Sequence, residues 1–381
     1  MTANEAFIFK PKILANRDAS ARSTKCLNDT RTMSNSSFTF CIPNLNKFKY
    51  LPACIESMLA QDDKNWCCVF VDGYSTDGSW EYMQQFACDP RFLLLRGLKK
   101  GMYADWNECL RHVKTEYFYF LPSDDTCFPS LVSTTVTALD HYQDIAACHF
   151  QYAMIDASGE IIQSPEEIMI SQQLTLYKEI NYKMHRRSGI CEFIMQIVYC
   201  APYTSMTSLV FRSSLIDKLQ GINTTYGSHG DFDWTMRLTL LTDILYVPKL
   251  LATWRICEGQ ASQQTSSVKF TESMLALASD NLEAFMRSDK YYFEPPINLY
   301  QLLSDYLDSY LHGTYMQIFQ DKDLTIGLIK LLRFAAIYPL FFPRKILRKI
   351  SFNRIFPRID KTARAQILIR KHDLFWPPTE L

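Results

Sequence analysis

The chain predicts an α/β fold, with a mostly parallel central sheet flanked by helices and a helical appendage at the C-terminal end. Three observations carry that reading. From Phe38 onward, short apolar runs alternate with stretches of helical period, the pattern of successive β-α-β units. The run from Trp66 to Val71 is apolar at every position, as in a parallel strand covered on both faces. Polar and acidic turns follow the strand candidates, at the end of the sheet where open α/β folds bind ligands.

Phe38 to Ile42 is the first strand. Leu51, Ile55, Met58 and Leu59 recur at helical spacing with Pro52 in the first turn, which predicts a helix over 50–60. Trp66 to Val71 forms the second strand, Ser79 to Phe86 a short helix and Phe92 to Leu95 the third strand. Trp106, Leu110 and Val113 mark a further helix before the strand Tyr117 to Leu121. Ala146 to Ile155 is another strand, closed by the turn Ala157-Ser158-Gly159-Glu160. Ser208 to Phe211 is extended, Phe232 to Leu241 helical and Ile244 to Val247 a strand; beyond about residue 268 the pattern turns helical. The stretch from Gln163 to Tyr203 is expected to hold an acceptor-side insertion. Its cluster His185-Arg186-Arg187 either meets an anionic substrate or is a solvated basic loop. The expected division is a polar, disordered leader over 1–36, an α/β domain over 37–267 and a helical, basic region over 268–381.

A chain of 381 residues can bury a substantial core. With 40 basic and 40 acidic residues, net charge makes no case for a nucleic-acid partner. The twelve cysteines form no regular framework and no paired C-x-x-C spacing; Cys67, Cys68 and Cys148 lie in apolar, core-like stretches, which favours a reducing cytosol. The polar N-terminal stretch lacks the apolar run of a secretory signal, consistent with a cytoplasmic location. Near the other end, Lys330 and Arg333 interrupt the apolar residues 324–343 and Pro339 breaks the helical pattern, so a membrane span is not expected. From Lys330 to Lys371 basic residues dominate, among them Arg344, Lys345, Arg348, Lys349, Arg354, Arg358, Arg364 and Arg370. Two readings stand: a helix lying on anionic lipid at the inner face of the cell membrane, or a packed appendage with a solvated basic face.

The acidic segments carry the chemistry. Ser123-Asp124-Asp125 places two adjacent carboxylates at a strand end, where they can hold Mg2+ or Mn2+ against a diphosphate, or can simply cap the next helix. In Val71-Asp72-Gly73-Tyr74-Ser75-Thr76-Asp77-Gly78, Asp72 is placed to accept hydrogen bonds from a base or ribose, or the segment is an ordinary turn. No G-x-G-x-x-G or P-loop pattern accompanies these strands. In Gly230-Asp231-Phe232-Asp233-Trp234, Asp231 is the candidate general base, with a plain helix cap as the competing account; Arg237 is spaced to pair with Asp233.

Taken together, these segments resemble glycosyltransferase family 2 over roughly residues 38–265. Cys41-Ile42-Pro43-Asn44-Leu45-Asn46 is similar to the family's P-x-Y-N loop, with Leu45 where Tyr is usual. The segment Val71 to Gly78 resembles the subgroup pattern I-D-G-G-S-T-D-G. Lys100 to Asn107 is similar to K-G-I-Y-D-A-x-N, with the Asp and Ala exchanged, so that Asp105 falls one position late. Leu121 to Asp125 sits where the family has its D-x-D-type element, and Gly230-Asp231 where it has a Glu-Asp pair. Tyr246 to Arg255, followed by Gly259-Gln260-Ala261-Ser262, resembles the segment that closes the domain, with Cys257 where many relatives have His.

The resemblance implies a GT-A (Rossmann-like) fold and an inverting, metal-dependent hexosyltransferase of the kind found in bacterial polysaccharide assembly. It implies donor contacts at Pro43, Asn46, Asp72, Lys100, Asn107 and Asp124, a divalent metal on Asp124 and Asp125, and Asp231 as the base. The donor would be a UDP- or GDP-sugar and the acceptor a glycan or lipid-linked chain. Two alternatives remain open. One is a catalytically degenerate donor-binding scaffold. The other is a sugar nucleotidyltransferase, although the chain lacks the glycine-rich N-terminal loop that such enzymes use.

Overall fold

A computed structural model describes residues 36–172, 177–199, 205–257, 267–288, 324–339, 342–343, 361–375 and 377–381, with Leu311 and Ile318. Strands β1 (Phe38–Asn44), β2 (Trp66–Asp72), β3 (Phe92–Arg96) and β4 (Tyr117–Phe120) pair in parallel in the order β3-β2-β1-β4. Helices α1 (Leu51–Leu59), α2 (Ser79–Gln84) and α3 (Met102–Arg111) connect them. Every residue of β1 and β2 is buried, because both faces of the sheet are covered. Strand alternation sends Phe38, Phe40, Ile42, Trp66, Cys68 and Phe70 toward α1 and α4 (Leu131–His141). Cys41, Val69, Val71, Phe118 and Phe120 face the other way, against Trp106 and Leu110 of α3 and Trp234 of α8 (Gly230–Thr239).

The winding reverses after β3: the chain passes outward from β1 to β2 and β3, then back across β1 to β4. The topological switch point therefore lies between β1 and β4, and a crevice opens at their C-terminal ends.

The second half extends the same sheet in mixed directions. Strand β6 (Ala147–Ile155) runs parallel to β10 (Ile244–Arg255), while β9 (Leu209–Arg212) is antiparallel to β4 and β6 and joins the two parallel blocks. Short strands β5 (Thr126–Cys127), β7 (Ile161–Gln163), β8 (His185–Arg187) and β11 (Thr379–Glu380) add antiparallel pairings. Where the apolar pattern predicts a strand only over Ile244 to Val247, β10 runs twelve residues, with register shifts between Val247 and Ala252. Pro248 lacks a ladder N–H, and the bulge carries the strand past it.

The basic cluster at 185–187 is neither a substrate-facing insertion nor a solvated loop. It is β8: Arg186 pairs with Asp144 and Asp243, and Arg187 is only 1% exposed. Of the C-terminal helices, α9 (Ser267–Arg287) shares a core with α6 (Gly189–Tyr199), α8 and α11 (Lys361–Lys371) through Met274, Phe285, Phe193, Met236 and Ile369. Helix α10 (Leu324–Ile337) buries Phe334 but exposes Leu328 by 57%, Ile329 by 48% and Leu332 by 62%. Among the described residues no helix is long and apolar enough to cross a membrane. The polar leader up to residue 35, the Gly259 to Ser262 segment and the basic positions Arg344 to Arg358 lie outside the described residues.

Candidate active site

Three loops meet at the C-terminal edge of the parallel block. Asn44 and Asp72 are register partners at the ends of β1 and β2, and the Asn44 amide donates to Asp72 Oδ1 at 2.9 Å and to Ser75 Oγ at 3.0 Å. Asp72 Oδ2 accepts from the Ser75 amide at 2.9 Å and from Arg96 at 2.5 Å. Asp72 is thus fully buried and braces the turn, while Arg96, at the end of β3, carries the charge outward. The guanidinium of Arg96 lies 3.9 Å from the Trp80 ring and 5.3 Å from that of Tyr74, forming a cationic and aromatic shelf. Asn46 has a left-handed backbone (φ 52°) and its side chain accepts from the Thr76 amide at 2.8 Å, locking the first loop to the second. Pro43 is buried within β1 opposite Val71, and Lys100 is exposed in the loop after β3.

The adjacent carboxylates have different surroundings. Asp125 is fully buried: Oδ2 accepts from the Thr207 hydroxyl at 2.6 Å and Oδ1 from the Arg255 amide at 2.8 Å. Burial, then the neighbouring Asp124 carboxylate, pushes its pKa up. Asp125 thus ties β4 to β10 and Thr207, and of the two carboxylates expected to grip a cation Asp124 is the more exposed. Asp124 Oδ2 lies 2.7 Å from Lys47 Nζ, an ion pair that spans the switch point, and Cys257 Sγ lies 3.7 Å from the same ammonium. Burial lowers the Lys47 pKa, but the Asp124 carboxylate outweighs it and holds the group above its ordinary value.

One hard carboxylate suits Mg2+ or Mn2+ where substrate phosphates supply further ligands, whereas the soft sulfur of Cys257 does not. Among the described residues no group of three or more His, Cys, Asp or Glu forms a cage.

Asp231 opens α8, half-buried, with its Oδ1 accepting from the Phe232 amide at 2.9 Å. The Tyr103 hydroxyl, which donates to the Ser228 carbonyl at 2.9 Å, lies within hydrogen-bonding reach of the Asp231 carboxyl. Burial raises the Asp231 pKa to about 6 against those hydrogen bonds. Trp234, one turn along, packs 5.8 Å from Phe120 at the end of β4. Asp233 turns away and pairs with Arg237 at 2.7 Å, as its spacing predicts.

Asn107 is not at this edge. Its amide exchanges two hydrogen bonds with the Ile222 backbone, at 2.7 and 2.8 Å, so the expected donor contact is corrected to a tether for the segment before α8. It also lines a cavity of about 730 Å3 with Lys114, Thr115 and Asp217, near the start of β4 and away from Asp124. Sequence reasoning gave no role to Lys47, Arg96, Tyr103 or Thr207. For Lys47 a signal existed, four residues after Pro43 in a loop expected to meet the donor; Thr207 has no local signal at all.

Residues 39–199 match the family model described as Glycosyl transferase family 2. A putative colanic acid biosynthesis glycosyl transferase, WcaA of Escherichia coli (strain K12), is 27% identical over 155 residues, covering 39% of this chain and 54% of that protein. Putative glycosyltransferase EpsE of Bacillus subtilis (strain 168) is 35% identical over 95 residues, covering 23% and 34%. The matched segments thus span about half the length of these relatives or less. In fold, the chain is similar to S. aureus TarS 1-349 in complex with UDP-GlcNAc, with a TM-score of 0.58 at 15% identity, covering 90% of this chain and 93% of that one. It is also similar to the mannosyltransferase PcManGT from Pyrobaculum calidifontis in complex with GDP-Man and Mn2+, with a TM-score of 0.50 at 13% identity, covering 90% and 89%. These structural likenesses support the GT-A fold.

Proposed function

Because residues 39–199 carry a glycosyl transferase family 2 domain, we propose that the protein transfers a sugar from a nucleoside-diphosphate donor to an acceptor hydroxyl with inversion. The observation that supports this reading is the Lys47–Asp124 ion pair across the switch point, together with the packing of Trp234, in the helix that begins beside Asp231, on Phe120 at the end of β4. Asp231 takes the acceptor proton: a carboxyl raised to about 6 is ionised at neutral pH yet more basic than an ordinary aspartate. Tyr103 and the Phe232 amide orient it. Asp124 would hold a divalent cation, which when bound neutralises the departing diphosphate. Asp72 keeps the second loop in shape, and Arg96 with Trp80 presents a face to the nucleoside. UDP-GlcNAc and GDP-Man in the structural neighbours support a UDP- or GDP-sugar as donor.

The relatives' names favour a growing surface polysaccharide or lipid-linked glycan as acceptor. Leu328, Ile329 and Leu332, exposed beside Lys330 and Arg333 on α10, favour a membrane-surface location for the reaction. Full-length protein is expected to release UDP or GDP from one member of a donor panel, in a manner dependent on Mg2+ or Mn2+. If no donor is bound or turned over with any cation, the transferase reading is wrong. Co-sedimentation with anionic vesicles should fall in a Leu328→Glu/Leu332→Glu variant, and unchanged binding would remove α10 from that role.

A further inference from the structure

Lys47 and Asp124 stand on opposite sides of the switch point, one after β1 and the other after β4. Their charged atoms are 2.7 Å apart, with the side chains 25% and 13% exposed. The two partners differ in mobility. The Asp124 backbone is fixed: Arg255 Nε donates to its carbonyl at 2.7 Å, and the next residue is buried and accepts from the Thr207 hydroxyl and the Arg255 amide. The Lys47 backbone carbonyl accepts from the Tyr50 and Leu51 amides at 2.9 Å, while its ammonium, at the end of a flexible four-carbon stem, meets Asp124, Cys257 and the Tyr50 ring at 5.9 Å, contacts that rotation of the stem can exchange.

Resting on the reading of Asp124 as the carboxylate that faces a cation, we infer that Lys47 couples divalent-cation binding to nucleotide binding. Without nucleotide, the ammonium occupies an oxygen that Mg2+ or Mn2+ would need and repels the incoming ion. A nucleoside diphosphate supplies anionic oxygens to which the ammonium can turn, leaving Asp124 to the cation. Each ligand then strengthens the binding of the other by the same factor.

The test is Mn2+ binding to the full-length protein, followed by the spin-resonance signal of free Mn2+ with and without UDP or GDP. In the unmodified protein, nucleotide is expected to tighten Mn2+ binding by about 5- to 150-fold. Lys47→Met is expected to bind Mn2+ at least about fivefold tighter without nucleotide, with the coupling reduced to the part that direct ligation of the cation by the phosphates supplies. Lys49→Met removes an exposed ammonium that lies 5.2 Å from the Tyr50 ring and should leave the coupling unchanged. Equal Mn2+ affinity and coupling in K47M and the unmodified protein would overturn the inference. So would an equal change in K49M, which would mark a general charge effect. Nucleotide binding in a chelator is measured alongside. Protein that binds neither UDP nor GDP with or without Mn2+ refutes the transferase reading itself, whereas nucleotide binding with unaltered coupling in K47M refutes only the role of Lys47.

Discussion

Lys47 in the parallel half of the sheet and Arg187 in the mixed half are both cations near aromatic rings, yet they are held on different terms. Lys47 is partly exposed and pairs with one carboxylate, Asp124, across a crevice. Arg187 is buried between the rings of Tyr177 and Tyr246, at 4.0 and 4.3 Å. It donates to His185 Nε2 at 2.9 Å, to Asn181 Oδ1 at 3.2 Å and to His149 Nδ1 at 3.3 Å. His185 Nδ1 faces the Lys183 carbonyl at 2.9 Å, which sets the tautomer that leaves Nε2 free to accept. Burial, reinforced by Arg187, drives the His185 pKa down to about 3 and that of His149 well below its ordinary value, so both rings are neutral acceptors. A buried cation held by neutral acceptors and aromatic faces braces β8 against β10; a partly exposed cation paired with one carboxylate can exchange that partner for a ligand. The contrast explains why the basic triplet His185-Arg186-Arg187 is structural, while a single lysine stands at the crevice.

The sharpest break between the two halves should come from chemistry rather than stability. Asp231→Asn is expected to lower transfer by about 10²- to 10⁴-fold while leaving donor affinity in place, measured by nucleotide release and equilibrium donor binding. Transfer in the unmodified protein should also fall as pH drops through about 6, because the base must be ionised and burial has raised its pKa to that value. Unchanged turnover in the variant would move the base elsewhere.

Arg187→Met should instead lower stability by about 2–4 kcal/mol, since it removes three buried hydrogen bonds, to His149, His185 and Asn181. Donor affinity should not change, and denaturant unfolding alongside donor titration reads both. A loss of donor binding at full stability would mean that Arg187 meets a ligand after all.

Within the crevice, Asp125→Ala is expected to cost about 2–3 kcal/mol by orphaning the Thr207 hydroxyl and the Arg255 amide. Asp124→Ala should stay within about 1 kcal/mol of the unmodified protein, because its ion pair is partly exposed. It should nevertheless abolish the effect of Mn2+ on nucleotide binding. The reverse assignment of these two phenotypes would restore Asp125 as the cation ligand.

Much of this was legible before any coordinates. The strands Trp66–Asp72 and Phe92–Arg96 and the helix Leu51–Leu59 lie within a residue or so of their predicted bounds, because each is a local pattern of apolar residues. The Asp233–Arg237 pair follows from helical spacing alone. Three things were not legible. The extent of β10 depends on partners on both sides, β6 and β5, that hold residues past a proline. The fate of Arg187 depends on rings from residues 177 and 246. Asn107 reads as a donor contact by resemblance, but the segment at Ile222 that claims its amide lies more than a hundred residues away.

The sequence by itself determined the kind of protein: alternating strands and helices, and acidic turns at strand ends, are written in short windows because burial acts on each strand face locally. The tertiary structure alone decided which of two neighbouring carboxylates is fully buried. Asp124 and Asp125 are chemically identical and adjacent, and only the approach of Thr207 and the Arg255 amide to one, and of Lys47 to the other, distinguishes them. A carboxylate's availability is set by the donors that fold against it, and those donors come from distant parts of the chain.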